Sequence, residues 1–398
     1  MKTSMTSRER ILATCAHAAT DHVPLHLDVH PLYYQYDPGV ATWQDQFERT
    51  DALLSLGADA MIEVWLPDPT FHPNVTVRRW KEEKDGTVLL GKEYQTPAGS
   101  LRQVIKETPD LYTWNKINSN TRGRLADLID GVDLLQDVNP SRSVEFLVNG
   151  PEDLPKMRYL FQPMTGDKLA RWREDALYAK KEAEKRQVAL IARRTFCGAA
   201  WMWLTDIQES MLTYESDPEY AGEFLHIIHE WQMATLEQVF DIGGIDIVTR
   251  FGYYDIPDFW GRKYFDRYLC PEMDAEADLV HQAGALLSQQ QSEGLTQLVD
   301  IYKKMKVDIL RDVDPVQGQE DMALLKRELG ATKTLMGGIN GDLHLANASA
   351  SEIDEYVRET IELMAPGGGF ILHVIPGIYS GVPWARVLDL VQSWKKSA

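Results

Sequence analysis

The sequence predicts an α/β fold, a (β/α)8 TIM barrel with an antiparallel β insertion after the second strand, and three observations lead there. Eight short apolar runs have the length and residue types of buried strands: Val23–Val29, Ala60–Leu66, Val188–Thr195, Asp246–Phe251, Gly284–Gln290, Val307–Asp312, Thr332–Gly337 and Phe370–Val374. One connection recurs among them, a helix end followed by glycine, aspartate and a strand. It is seen at Leu56-Gly57-Ala58-Asp59 and Gly243-Gly244-Ile245-Asp246, and without the glycine at Lys306-Val307-Asp308. Repetition of one helix-to-strand unit, with room for a helix each time, implies parallel strands joined by crossovers. Finally, no strand is followed by Gly-x-Gly-x-x-Gly, which disfavours the doubly wound open sheet.

Taken in order, Thr6-Ser7-Arg8-Glu9 has capping-box spacing, with Ile11, Leu12 and Cys15 at helical intervals behind it, so a helix opens the chain. The first strand carries Pro24 near its start, where a missing N–H is tolerated. Between residues 75 and 108 three β-like runs, Val75–Val77, Thr87–Leu90 and Leu101–Ile105, are separated by Lys84-Asp85-Gly86 and Pro97-Ala98-Gly99. They read as a meander too short to bury a core of its own, and therefore as an insertion within one domain spanning 1–398. Residues 109–150 are mixed in character. Pro151-Glu152-Asp153-Leu154 starts a helix with proline and acids in the first turn, and a long charged helix covers about 167–186. Further helices begin at Asp217-Pro218-Glu219 and at Ser349-Ala350-Ser351-Glu352, the latter a second capping box with Ile353, Val357 and Ile361 on one face.

Composition narrows the function. With 41 basic and 60 acidic residues the net charge is −19, which disfavours nonspecific binding to nucleic acid or anionic membrane, since both need a basic face. Cys15, Cys197 and Cys270 are widely spaced and form no Cys-x-x-Cys pattern, arguing for a reducing compartment and against a thiolate cage. No run resembles a signal peptide or reaches the ~20 apolar residues of a membrane span, so a cytoplasmic protein is expected. Nor is there a phosphate-cradling glycine loop or a Ser-His-Asp order, which sets kinase and serine-hydrolase chemistry aside.

In a barrel of this kind the site lies at the carboxyl ends of the strands. The residues there are Asp28 and His30, Glu63 and Trp65, Arg193 and Arg194, Arg250 with Tyr253 and Tyr254, Gln289, Gln291 and Glu293, Arg311, Asp312 and Asp314, Asn340 and Asp342, and His373 with Tyr379. The stretch Gly284 to Gly294 stands out, because a buried strand runs straight into Gln289-Gln290-Gln291-Ser292-Glu293. Side chains alternate along a strand, so of Arg193 and Arg194 only one faces the mouth, and sequence leaves the choice open. Aromatic side chains near these ends can wall a pocket, although Trp201 and Trp203 read better as core.

Several short marks, weak singly, occur together in one order: Ser7-Arg8-Glu9-Arg10 with Asp21-His22-Val23-Pro24, Thr96-Pro97-Ala98-Gly99, Pro151-Glu152-Asp153-Leu154, Asp217-Pro218-Glu219, Gly337-Gly338-Ile339-Asn340 and Pro366-Gly367-Gly368-Gly369-Phe370. In this the chain resembles the uroporphyrinogen decarboxylase superfamily over nearly its whole length. The resemblance implies a (β/α)8 barrel and either decarboxylation or methyl transfer with corrinoid proteins. Decarboxylases of that family carry two arginines after the first strand, an aspartate after the second and a histidine near the last. The corresponding positions here are Val29, Tyr33, Trp65 and Pro376. A polycarboxylate ring needs fixed guanidinium donors, so tetrapyrrole decarboxylation is not expected. The methyltransferase branch places His-x-Cys-Gly after the fifth strand and a cysteine after the eighth, together holding zinc. Gln291-Ser292-Glu293-Gly294 and the neighbourhood of Pro376 stand there instead.

The resemblance therefore implies a methyltransferase of the corrinoid-linked type, demethylating a small methylated compound, with methoxy-aromatics among the candidates, and passing the methyl group to a corrinoid (cobalamin) on a partner protein. Glu293, Gln291, Asp28, Glu63 and His373 are the catalytic candidates, with Glu293 as acid. Arg250, Tyr253, Trp65, Asn340, Arg311 and His30 are the substrate-binding candidates, with Arg250 or Arg311 on a substrate carboxylate. A metal-free polar site is expected. The alternative is zinc on Glu293 and His373 with Gln291, a harder Lewis acid than a thiolate site. Other readings are a lyase acting on a smaller acid through Asp28, Glu63 and an arginine, and a barrel that binds without catalysis. A homodimer is compatible with all three.

Overall fold

The computed structural model describes residues 4–30, 33, 37, 43, 45–67, 69–108, 140–196, 198–379 and 381–398, the side chains of Pro140 and Arg194 apart. Strands β1 (Leu25–His26) and β2 (Met61–Trp65) are followed in the chain by β3 (Thr76–Lys84), β4 (Thr87–Thr96), β5 (Gly99–Lys106) and β6 (Ser143–Glu145). Then come β7 (Ala189–Thr195), β8 (Ile247–Phe251), β9 (Leu286–Gln290), β10 (Ile309–Val313), β11 (Thr334–Asn340) and β12 (Phe370–Ile375). Eight of these form a parallel sheet in the order β1-β12-β11-β10-β9-β8-β7-β2. The ends of the sheet meet where His26 bridges Asp59 in parallel and the Asp59 N–H donates to the Leu25 carbonyl at 2.7 Å, so the sheet curls into a barrel.

Each of the eight runs read from the sequence overlaps one barrel strand. The first is shorter than expected, two residues where seven were anticipated, and Val29 pairs separately with Ile378. The remaining strands, β3 to β6, make a separate antiparallel sheet. Three fall inside the expected 75–108 stretch; the fourth, Ser143–Glu145, pairs with β5 from across a long sequence interval, which no local pattern announces. Most of the mixed stretch 109–150 lies outside the described residues.

Both capping boxes form. Thr6 Oγ1 accepts from the Glu9 N–H while Glu9 accepts from the Thr6 N–H, opening the helix Ser7–Cys15. Ser349 and Glu352 do the same for Ala350–Met364, whose buried face is Ile353, Val357, Ile361 and Met364. The long helices Gly166–Arg186 and Pro218–Phe240 pack against the outside of the barrel through faces that include Ala176, Ala179 and Ala183 on the first and Phe224, Ile228 and Leu236 on the second.

Inside the barrel a second, smaller core forms from Ile191, Ile247, Ile309, Met336 and Ile371, with Met61 and Leu286 against it and Ile11 of the first helix closing it from below. This apolar floor fixes the phase of the strands. Because side chains alternate, the next inward position on each strand is two residues on. Those positions are Glu63, Arg193, Thr249, Ser288, Arg311, Gly338 and His373. Six of the seven are polar, so the interior changes from oily to charged within one layer. Glu63 and Arg193, half-buried, pair with each other, whereas Arg311 and His373, fully buried, need partners from outside this layer, and Asp28 and Asp312 stand against them.

Candidate functional site

Arg311, 2% exposed at its side chain, donates from Nη2 to Asp28 Oδ2 at 2.5 Å. Arg193 donates from Nη1 to Glu63 Oε1 at 2.5 Å and brings Nη2 to 3.6 Å from the same Asp28 oxygen. Asp28 is thus gripped from two strands. Burial alone would raise its pKa, but Arg193 and Arg311 outweigh that and hold the carboxyl well below the usual range. Arg193 is pushed the other way: burial opposes its charge, and Glu63 and Asp28 more than restore it. Arg193 therefore faces the mouth. The Arg193 guanidinium also sits 5.7 Å from the Trp65 ring centre, and His30 lies 5.5 Å from the Tyr379 ring, so two of the expected substrate-binding residues edge this ion-pair network. His30 is pushed down to about 4 by burial and by Arg49.

Next to it is a second carboxylate, Asp312, fully buried. Tyr253 donates its hydroxyl to Asp312 Oδ2 at 2.5 Å and Gln290 Nε2 donates to the same oxygen at 2.9 Å. His373 Nε2 stands 3.1 Å from Asp312 Oδ1, while His373 Nδ1 faces the His26 carbonyl at 3.0 Å and the His26 ring at 3.2 Å. Burial would raise Asp312, but His373, Arg311 and Tyr253 lower it to about 2. Tyr253, half-buried beside that carboxylate, is raised well above its ordinary value by desolvation and by Asp312 and stays a neutral hydroxyl.

Glu293 belongs to a different corner. Its pKa is raised, first by burial and then by Asp258 and Asp314. Asn340 donates to Asp314 Oδ2 at 2.8 Å and accepts the Leu343 N–H at 2.8 Å, so Asn340 orients the Asp314 side of this corner. The loop carrying Glu293 is held by close backbone approach. A Cβ on Gly318 would lie 1.9 Å from the Ser292 carbonyl oxygen, and one on Gly294 would meet Pro257 at 2.3 Å. Glu320 adds three hydrogen bonds from Leu295 and Thr296. A carboxyl on a fixed loop, with its proton favoured by two like charges, suits a general acid.

Two expected residues lie elsewhere. Arg250 is one residue out of phase with inward Thr249 and points into the helical layer. Its Nη1 pairs with Glu276 at 2.8 Å and its Nη2 with Asp255 at 3.3 Å, all three side chains 0% exposed. Thr195 and Gln232 complete the hydrogen bonding of Glu276. Gln291 also turns away. Tyr302 donates to its Oε1 at 2.5 Å and its Nε2 donates to the Glu293 carbonyl at 2.8 Å, so it braces the loop. Of the glutamines at the end of β9 and just beyond it, Gln290 is the one hydrogen-bonded to Tyr253 and Asp312 at the mouth. Among the described residues no group of three or more His, Cys, Asp or Glu side chains is placed to hold a metal ion. His26 was not expected at the site, although it shares the parity of Asp28, two residues on, and Gln290 figures in the sequence only as part of the polar run, in which its neighbours Gln289 and Gln291 are the candidates.

The fold and its mouth define the protein's class: an α/β barrel of the TIM type whose carboxyl end joins buried ion pairs to aromatic rings. No protein-family model matches the chain, and no curated protein matches it in sequence. Among solved structures it is similar to a methyltransferase from Methanosarcina mazei, at 14% identity over 99% of this chain and 99% of that one, with a TM-score of 0.61. The two chains share a fold from end to end, as the resemblance read in the sequence implies. Partial likenesses to 3-keto-D-glucoside 4-epimerase from E. coli (7% identity, 62% of this chain and 94% of that one) and to D-psicose 3-epimerase (10%, 62% and 92%) reach a TM-score of only 0.37 and carry no weight. Among the described residues no helix is long and apolar enough to cross a membrane.

Proposed function

We propose that the protein is a methyltransferase that takes a methyl group from a small methylated compound, with a corrinoid on a partner protein as acceptor. The supporting observation is the end-to-end likeness to a methyltransferase barrel, joined to a mouth with a poised acid. When present, a reduced corrinoid supplies a strong nucleophile for the methyl carbon. Glu293 donates a proton to the leaving heteroatom, which lowers the cost of departure. Tyr253 and Trp65 flank the substrate, and Asp28, Glu63, Arg193 and Arg311 keep a fixed, balanced field that needs no rearrangement during reaction. Arg250 is committed to Glu276 and Asp255, so a substrate carboxylate at the mouth meets Arg193 or Arg311 and competes there with Asp28 or Glu63.

The test is transfer of label from carbon-14-methylated candidates, methoxybenzoates and methylamines among them, to added reduced cobalamin. Label transfer that depends on the protein and falls about a hundredfold in Glu293→Gln supports the proposal. Release of labelled CO2 from small carboxylic acids without cobalamin supports the lyase reading instead. Saturable binding without turnover of either kind supports a barrel that only binds.

A further inference from the structure

We infer that Asp312 is a positioning residue, aimed at Tyr253 and His373 by a bulge in β10 that Gly337 makes possible. In a regular strand Asp312 would follow Arg311 to the opposite face and point into the helices. It does not. The pairing of β10 with β11 runs Arg311 to Met336 and then Val313 to Gly337, leaving Asp312 as the extra residue of a bulge. Asp312 accordingly has φ +72°, a left-handed conformation that costs a residue with a Cβ, and which Asp and Asn tolerate best. The result is that two successive side chains reach the barrel mouth, Arg311 toward Asp28 and Asp312 toward Tyr253, Gln290 and His373.

Room for the bulge comes from the neighbouring strand. A Cβ on Gly337 would stand 2.4 Å from the Val313 carbonyl oxygen and 2.7 Å from its nitrogen, both backbone atoms that cannot swing aside. Gly337 opens the Gly337-Gly338-Ile339-Asn340 motif, and its contact with the bulge explains why glycine is needed there. Strain kept at a buried residue whose only evident product is the aim of a carboxylate is strain with a use.

That use is indirect, because Asp312 is fully buried while Tyr253 is partly exposed. Tyr253 donates to Asp312 and accepts from Gln290 Nε2 at 2.9 Å, so its proton points inward and one oxygen lone pair is left uncommitted by these bonds. At His373, Nδ1 is held at 3.0 Å from the His26 carbonyl, and the Asp312 carboxylate stands 3.1 Å from Nε2, near enough to act on the ring by its charge. Asp312 thus makes Tyr253 a fixed hydrogen-bond acceptor toward whatever occupies the mouth. The effect on turnover rests on the methyl-transfer reading; the geometry does not.

The test uses the full chain and five variants. Asp312→Gly and Asp312→Ala both lose the carboxylate but differ in their tolerance of positive φ, so the glycine variant is expected to melt about 2 °C or more above the alanine one. Equal midpoints overturn the backbone half of the inference. The imidazole nitrogen resonances of His373, identified by their loss in His373→Gln, are expected to shift in both Asp312→Asn and Gly337→Ala. Unchanged resonances in Asp312→Asn overturn the aiming half, and this arm decides the matter if Gly337→Ala fails to fold. If wild-type protein transfers methyl groups, Asp312→Asn lowers kcat about tenfold or more and leaves KM within about threefold. An unchanged kcat contradicts the positioning role. A wild type that transfers nothing removes the functional reading and leaves the thermal and resonance arms to decide the rest.

Discussion

Glu293 and Arg250 are both charged residues near strand ends, yet their surroundings give them opposite uses. Burial, Asp258 and Asp314 favour the protonated form of Glu293, so its acid form persists above the ordinary carboxyl range and is lost as pH rises through the raised value. Activity that needs this proton should therefore fall on the alkaline side. Asp258→Asn removes one like charge and is expected to move that limb of the pH–rate profile to lower pH; a limb that stays in place separates Glu293 from the rate. Arg250, by contrast, pairs with two buried carboxylates, Glu276 and Asp255. Both are raised, by burial first and in spite of Arg250, because one guanidinium serves two acids. Arg250→Met leaves those acids without a counter-charge, and the expected loss is about 3–5 kcal/mol of stability, read from urea unfolding. Loss below about 1 kcal/mol would show that Glu276 and Asp255 simply take up protons. Why the sequence misplaced Arg250 is now clear. Ile247 and Val248 are equally apolar, so the parity of β8 could not be read until Ile247 was seen on the barrel floor.

At the scale of elements, the glycines carry as much of the site as the charged residues do. The Glu293 loop and the 314–320 loop touch backbone to backbone, and Gly318 is where they touch. Gly318→Ala forces them apart, since its Cβ would lie 1.9 Å from the Ser292 carbonyl oxygen. We expect a loss of about 1–3 kcal/mol and a fall in turnover larger than the fall in substrate affinity, because the displaced group is the acid. Retained stability and turnover would mean that the loop moves without consequence. The strands themselves were legible from their apolar content, and both capping boxes from their spacing, because these signals are local. Strand β6 was not legible: its three residues gain meaning only by pairing with β5.

For the whole molecule the pattern of perturbed carboxyls sets a pH optimum of stability. Asp255, Glu276, Glu293 and Glu320 have raised values in the fold, so the stability tied to their protons is present below the ordinary carboxyl range and is lost as pH rises through the raised values. Asp28 and Asp312, the latter held at about 2, are lowered; the stability they confer is present above the ordinary value and is lost as pH falls through the lowered ones. Repulsion among charges that sum to −19 at pH 7 also fades toward the pI of about 5.0. The urea midpoint is therefore expected to peak near pH 5, above its values at pH 8 and pH 3. A midpoint highest at pH 8 would mean that the buried acids are ionised at little cost.

By itself the sequence determined the run of eight strands, the capped helices, the antiparallel stretch and the end of the barrel where polar residues gather. Each of these depends on periodicity, spacing or chain order, which neighbouring residues carry among themselves. Tertiary structure alone decided which side chain of each polar pair turns inward: Arg193 as the mouth residue, Gln290 in place of Gln291, Thr249 in place of Arg250. That choice is a parity, and parity is set by the apolar floor and by the bulge at Asp312, where distant strands meet. A shift of one residue exchanges the two faces of a strand without altering its composition, so residues identical in sequence terms end either at the barrel mouth or in a buried salt bridge.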